Sequence, residues 1–269
     1  MMKQLCTIIL ALFIMSVNAQ YTMDRYHTQE LIVENNIESY TICKVSIELD
    51  KIDTIPFEKL SFNKQGLIIR VDRLWENGSH YTYYDSLDRV LLEIDDFPNI
   101  DHYEIDSFIY EDDRLVKIIE MGANRIPRWV NEYSYEGDSV KHSVITTIKN
   151  NTSRERTSYY DSNQRLSVFE FNGSGEKHLF NYDEIGNLIE FKSLNTNGNL
   201  NLLHTFRYNG NLRVEHVIYK GDAFLSGYYM EYDDNGLIRK LYMYESQSAF
   251  EQHDLEITPT KVYRYTYRE

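Results

Sequence analysis

Seven times along this chain a tyrosine followed by an acidic or amide residue closes an aromatic-rich segment: Tyr84-Asp85, Tyr110-Glu111, Tyr135-Glu136, Tyr160-Asp161, Tyr182-Asp183, Tyr208-Asn209 and Tyr232-Asp233. A degenerate copy, Phe62-Asn63, opens the series, and successive anchors are 22, 26, 25, 25, 22, 26 and 24 residues apart. A unit of roughly two dozen residues repeated this often is the signature of a repeat architecture. It fixes the fold class and leaves the activity open.

Within a unit, the residue two before the anchor is mostly large and apolar, as at Phe108, Tyr133, Phe180, Phe206 and Met230. The residue between is usually polar, as at Ser134, Asn181, Arg207 and Glu231. Period-two alternation predicts a strand with one face on a core. A short Asp, Asn and Gly tract follows, then a second apolar run such as Leu166-Ser167-Val168-Phe169 or Leu188-Ile189. Each unit therefore reads as one β-hairpin. The anchor-to-apolar distance varies, and insertions are tolerated where a chain turns and not inside a paired strand, so the variation locates the turn. A lone hairpin is marginal in water. The expectation is an all-β chain of tandem antiparallel hairpins forming one extended, curved or spiralling sheet of about sixteen strands. The only helix-like stretch, Glu245 to Leu255, reads as an irregular excursion before a last strand at Val262 to Tyr267.

The N-terminus carries one charge, Lys3, then the apolar run Leu5 to Met15 and the small residues of Ser16-Val17-Asn18-Ala19. That pattern predicts a signal peptide over 1–19 with cleavage after Ala19, and hence a secreted, periplasmic or cell-surface protein. Capping strands are expected over 20–58, hairpin repeats over 59–243, and a loop with a capping strand over 244–269. Cys6 would leave with the signal, and Cys43 would be the sole thiol of the mature chain, so no internal disulfide is expected. Loss of Lys3 takes 28 cations against 42 acids to 27 against 42, a net charge of −15. Phosphate binding draws on Lys and Arg, so nucleic acid is not an expected partner. No later run is long and apolar enough for a spanning helix, and no membrane insertion is expected.

Tyr182-Asp183-Glu184-Ile185-Gly186-Asn187-Leu188 and Tyr232-Asp233-Asp234-Asn235-Gly236-Leu237 resemble the bacterial YD repeats, also called Rhs repeats, and Tyr84-Asp85 to Val90 and Tyr160-Asp161 to Leu166 follow the same pattern with Arg in place of Asn. The resemblance covers residues 60 to 240. It implies a β-sheet wound into a shell, which in large family members encloses a C-terminal toxin; no toxin domain or autoproteolysis element is evident here.

His80, His178 and His204 stand four before an anchor, on the same strand face, and are expected to pack on tyrosine rings with their nitrogens hydrogen-bonded. No metal or other cofactor is expected, since no HExxH or Cys pair supplies a ligand set. The doublets Asp95-Asp96, Asp112-Asp113 and Asp233-Asp234 read as turn residues. Tyr83, Tyr159 and Tyr229 face away from the anchor side and are the candidate binding residues, for a protein or a carbohydrate at the cell surface. The expected role is a non-catalytic exported scaffold. Two alternatives are a carboxylate-dependent enzyme acting on glycans, marked by acids from different repeats converging with perturbed pKa values, and a toxin-associated shell fragment.

Overall fold

A computed structural model describes residues 29–48, 51–100, 102–137, 139–252 and 261–267. The expected signal peptide and its cleavage point lie outside them. A short helix, α1 (Gln29–Glu34), leads into the strands β1 (Ile37–Glu48), β2 (Lys51–Phe62), β3 (Ile68–Arg73), β4 (Gly78–Tyr84), β5 (Val90–Phe97), β6 (His102–Glu111), β7 (Arg114–Gly122), β8 (Pro127–Glu136) and β9 (Ser139–Thr147). The second half runs through β10 (Thr152–Tyr160), β11 (Leu166–Phe171), β12 (Lys177–Tyr182), β13 (Leu188–Leu194), β14 (Leu200–Asn209), β15 (Leu212–Lys220), β16 (Ala223–Tyr232) and β17 (Ile238–Tyr244). A second helix, α2 (Gln247–Glu251), precedes β18 (Lys261–Tyr267). The Glu245 to Leu255 segment thus holds a helix where an irregular excursion is expected, started by the Ser246 hydroxyl, which accepts from the Ala249 amide.

Every strand pairs antiparallel with the next, and β18 pairs back on β1 through Tyr40↔Tyr265, Thr41↔Arg264 and their neighbours. The sheet is therefore a closed 18-stranded barrel and not an extended or spiralling ribbon. Closure removes the two sticky edges that a linear sheet would expose. The terminal strands do not cap separate ends; they form the seam.

The turns show why the repeat has its spelling. In Asn63, Asp85, Asp161, Asp183, Asn195 and Asp233 the side-chain Oδ1 accepts from the backbone amides two and four residues on, at 2.8 to 3.1 Å. The fourth residue of each loop is left-handed: Gly66, Gly186, Gly198 and Gly236, but also Asp88 and Gln164. Glycine reaches that region without the steric penalty of a Cβ, which is roughly 1–2 kcal/mol. Gln164→Gly is expected to raise stability by about 0.5–1 kcal/mol in chemical unfolding, net of the entropy that glycine loses. The Glu111, Glu136 and Asn209 copies instead use tighter turns with positive φ at Asp112, Gly137 and Gly210. These two turn classes account for the variable anchor spacing.

The anchor tyrosine ties each hairpin to the one before. A register shift just before each turn frees a carbonyl, and the next anchor's hydroxyl donates to it: Tyr84 to Ile68 O at 2.8 Å, Tyr110 to Val90 O at 3.0 Å, Tyr135 to Leu115 O at 2.7 Å, Tyr182 to Leu166 O at 3.1 Å and Tyr208 to Leu188 O at 3.0 Å. Tyr232 does the same to Arg213 O, and Tyr265, in β18, to Ile238 O. Tyr265 is an anchor that the sequence pattern misses, because no Asx loop follows it.

Strand pairing puts the anchors on one face. Phe108, Ile118, Phe169 and His216 on that face are buried, although neither helix lies over them. Among the described residues only the barrel itself and, in one place, α1 cover this face, so it is the concave, inward one. α1 closes against it with Ile32 packed among Tyr40, Leu60, Met230 and Leu241. α2 packs on the other face, with Phe250 against Val217, Tyr242 and Tyr244. The outward face pins its register with directly opposed ion pairs, Lys117–Glu132 at 2.8 Å, Lys177–Glu170 at 3.2 Å, Lys240–Glu231 at 3.3 Å and Arg207–Glu215.

Candidate functional site

The three predicted binding tyrosines do not come together. Tyr83 and Tyr159 lie on the outward face of β4 and β10 and are exposed, while Tyr229 on β16 is half-buried beside Tyr242, close to α2. Each stands six strands from the next around the ring. They cannot share one small ligand.

What the barrel does gather is a set of inward carboxyls. Registers Asp95↔Glu104, Glu93↔Asp106 and Asp106↔Glu120 set five acids side by side on β5, β6 and β7. Asp95 and Asp96 are thus strand residues, not the turn residues expected of a doublet; only Asp112-Asp113 and Asp233-Asp234 sit in turns. The sequence carries no local sign of the cluster, because strand register and not chain proximity assembles it.

The acids differ sharply in environment. Burial tends to lift Asp95, but the His80 ring bonds it at 2.9 Å and the net effect holds its carboxyl below the usual range. His80 is itself raised to about 9: burial opposes its charge, and the bonds to Asp95 and Glu93 outweigh burial. Asp106 has no such partner. Burial, then the like charges of Glu104, Glu93, Glu120 and Asp95, push it up to about 8, and its Oδ1 is buried without a hydrogen bond. Glu120 rises to about 7 by burial and the Glu104 charge, against a hydrogen bond from Trp129. At neutral pH the wall is a mixture of ionised and protonated carboxyls in which added negative charge is resisted. Two triads, Asp95 with His102 and Glu104, and Glu104 with Asp106 and Glu120, have ligand atoms within 4.8 Å of one another, which is the donor chemistry of a hard or borderline divalent ion.

Beyond Trp129 the inner face changes character. Tyr133, Ser143 and Arg156 form a lateral row across β8, β9 and β10, followed by Phe169, Phe171, His178, Phe180, Phe191 and Phe206. Ring packing is present for two of the three histidines, on phenylalanines instead of tyrosines: His178 lies 5.3 Å from Phe191 and 5.6 Å from Phe169, and His204 lies 5.4 Å from Phe191, whereas His80 bonds Asp95. His204 Nδ1 and His216 Nε2 are 2.9 Å apart, and burial drives both rings to the neutral form, His204 down to about 4.

No family model matches the chain, and no curated protein matches it. Among solved structures, a porin-like protein from Bacteroides uniformis ATCC 8492 aligns with a TM-score of 0.34 and 11% identity, covering 86% of this chain and 97% of that one. A porin-like protein from Bacteroides vulgatus ATCC 8482 aligns with a TM-score of 0.33 and 9% identity, covering 86% and 98%. The expectation of no membrane insertion is corrected. It rested on the want of a long apolar run, a criterion for helices that says nothing of a closed barrel, which is the other architecture able to satisfy its backbone in a bilayer.

Proposed function

We propose that this chain is an exported, non-catalytic binding barrel whose Tyr-Asp units are YD-type repeats closed into a ring, and that it holds a small solute through a positively charged group on the inner wall of β5 to β8. The observation that carries this reading is Asp106: an inward carboxyl with a buried, unbonded oxygen, held near pKa 8 by burial and four neighbouring acids, one of which, Glu120, has Trp129 alongside. A cation at that point relieves the mutual repulsion, and the indole face adds a cation–π contribution of about 0.5–2 kcal/mol.

Calorimetry with primary amines and diamines at pH 7.5, in two buffers of different ionisation enthalpy, tests the proposal. Binding is expected with release of protons, because the cation drives Asp106 and Glu120 to ionise, and Asp106→Asn is expected to weaken binding at least tenfold. Amines that bind no better than diols of the same length, or with equal strength to the variant, overturn it. A second reading has its own support: Asp95, held ionised, and Asp106, held protonated, are acids from different repeats with pKa values pushed apart, the pairing that acid–base chemistry on a glycan requires. Turnover of glycan substrates that is lost in Asp106→Asn favours it.

A further inference from the structure

A second polar constellation begins on Trp129's own strand and runs across the next two, and it has no role in holding a cation. Asn131, Tyr133, Ser143, Arg156 and Ser158 come from β8, β9 and β10 and are all buried on the inward face, Arg156 only 7% exposed and Asn131 6%. Arg156 has no ion pair among the described residues, and its Nε is buried without a hydrogen-bond partner. Its planar group lies 5.3 Å from the Phe171 ring and 5.5 Å from Phe169, and burial lowers its pKa to about 10. The Arg154 charge adds to the repulsion, and Glu176 pairs with Arg154 and not with Arg156. The amide of Asn131 donates to the Tyr133 hydroxyl at 2.5 Å and leaves its own Oδ1 unbonded.

A buried guanidinium without a counter-ion is costly, and stacking on two phenyl rings offsets only part of that cost. The arrangement is what an oxyanion site needs: a fixed planar fork, hydroxyls of Ser143 and Ser158 on the same face, and low-dielectric walls that strengthen the contact. We propose that Arg156 and these hydroxyls bind a carboxylate, and that the solute held at the acidic wall is a zwitterion with an ammonium at one end and a carboxylate at the other. Tyr133 stands between the two ends, in electrostatic contact with both Asp106 and Arg156. This deepens the reading above and rests on it.

The test is calorimetry of the mature chain with linear ω-amino acids of two to six methylenes, against the alkylamines of equal length. One chain length is expected to bind at least tenfold more tightly than its amine, and Arg156→Met is expected to abolish that gain while leaving amine affinity within twofold. The same variant, relieved of an unpaired buried charge, is expected to melt at a higher temperature than the parent without ligand, which shows that it folds. If amines bind and no amino acid gains over them, the carboxylate site is wrong and the cation reading stands. If the gain survives in Arg156→Met, Arg156 is not its source and the inference falls. If neither class binds, both readings fall.

Discussion

Unfolding is expected to be hardest near pH 5 and to become progressively easier from pH 6 to pH 8. Asp106 and His80 set the alkaline side. The folded Asp106 carboxyl titrates near 8 against an ordinary 3.8, so the native state holds a proton that the unfolded chain has lost, and stability declines as pH rises through this interval. His80 is raised to about 9 from 6.5, and its contribution, complete below 6.5, is lost as pH climbs through 9. Each group contributes up to about 1.4 kcal/mol per pH unit where its two states differ by a full proton, so the slope near pH 7.5 is on the order of 2 kcal/mol per unit. The acid side has the opposite sign. His204 and His216 are neutral in the fold, and below pH 6.5 the unfolded chain takes up protons that they refuse, so stability falls as pH drops toward 4. Denaturant midpoints across pH 4 to 9 check this. Asp106→Asn is expected to make the alkaline limb shallower, leaving the His80 part, and the acid limb steeper, because the Asp106 decline that opposes the histidines between pH 4 and 6.5 is removed with it. A profile that rises steadily from pH 5 to 8 contradicts the assignment.

The second large effect is expected at the seam. Among the described residues β17 meets β18 through two residue pairs, Lys240↔Val262 and Leu241↔Lys261, so their backbone pairing contributes little there. Packing carries the joint: Leu241 is fully buried with Met230, Ile238 and Tyr40 beneath α1. Leu241→Ala deletes three carbons at a place where the walls are fixed on both sides, and is expected to cost about 2–5 kcal/mol. Hydrogen exchange of the variant is expected to show β17 and β18 losing protection before β6 to β8, whose own cluster of Phe108, Leu115, Ile118 and Tyr133 is separate. A cost below 1 kcal/mol, or a loss of protection spread evenly around the ring, goes against a seam held by that cluster.

Much of the fold is legible in the residues because its causes are local. Alternation along Phe206-Arg207-Tyr208 or Met230-Glu231-Tyr232 gives the strand and its buried face, and an Asx residue four before the next apolar run gives the loop. The placement of His80, His178 and His204 on the anchor face follows from parity alone. Closure is not local. It depends on twist and strand stagger accumulated over eighteen strands, and on Thr41 meeting Arg264, residues at opposite ends of the chain. The carboxyl wall is hidden for the same reason: Asp95, Glu104 and Glu120 are separated by turns in sequence and joined by register. Arg156 gives no signal either, since an arginine on an inward face is visible only once the face is known to be covered.

The closed ring underlies every statement about an inner wall, and a disulfide across the seam tests it directly. In a chain beginning at Gln20 with Cys43→Ala, Thr41→Cys and Arg264→Cys are direct partners across β1 and β18 and are expected to form an intramolecular bond under mild oxidation, with the protein remaining monomeric. Thr41→Cys paired with Glu155→Cys, on β10 across the ring, is expected to form none. Failure of the Thr41–Arg264 pair to link, or linkage only between molecules, contradicts closure and with it the inward face.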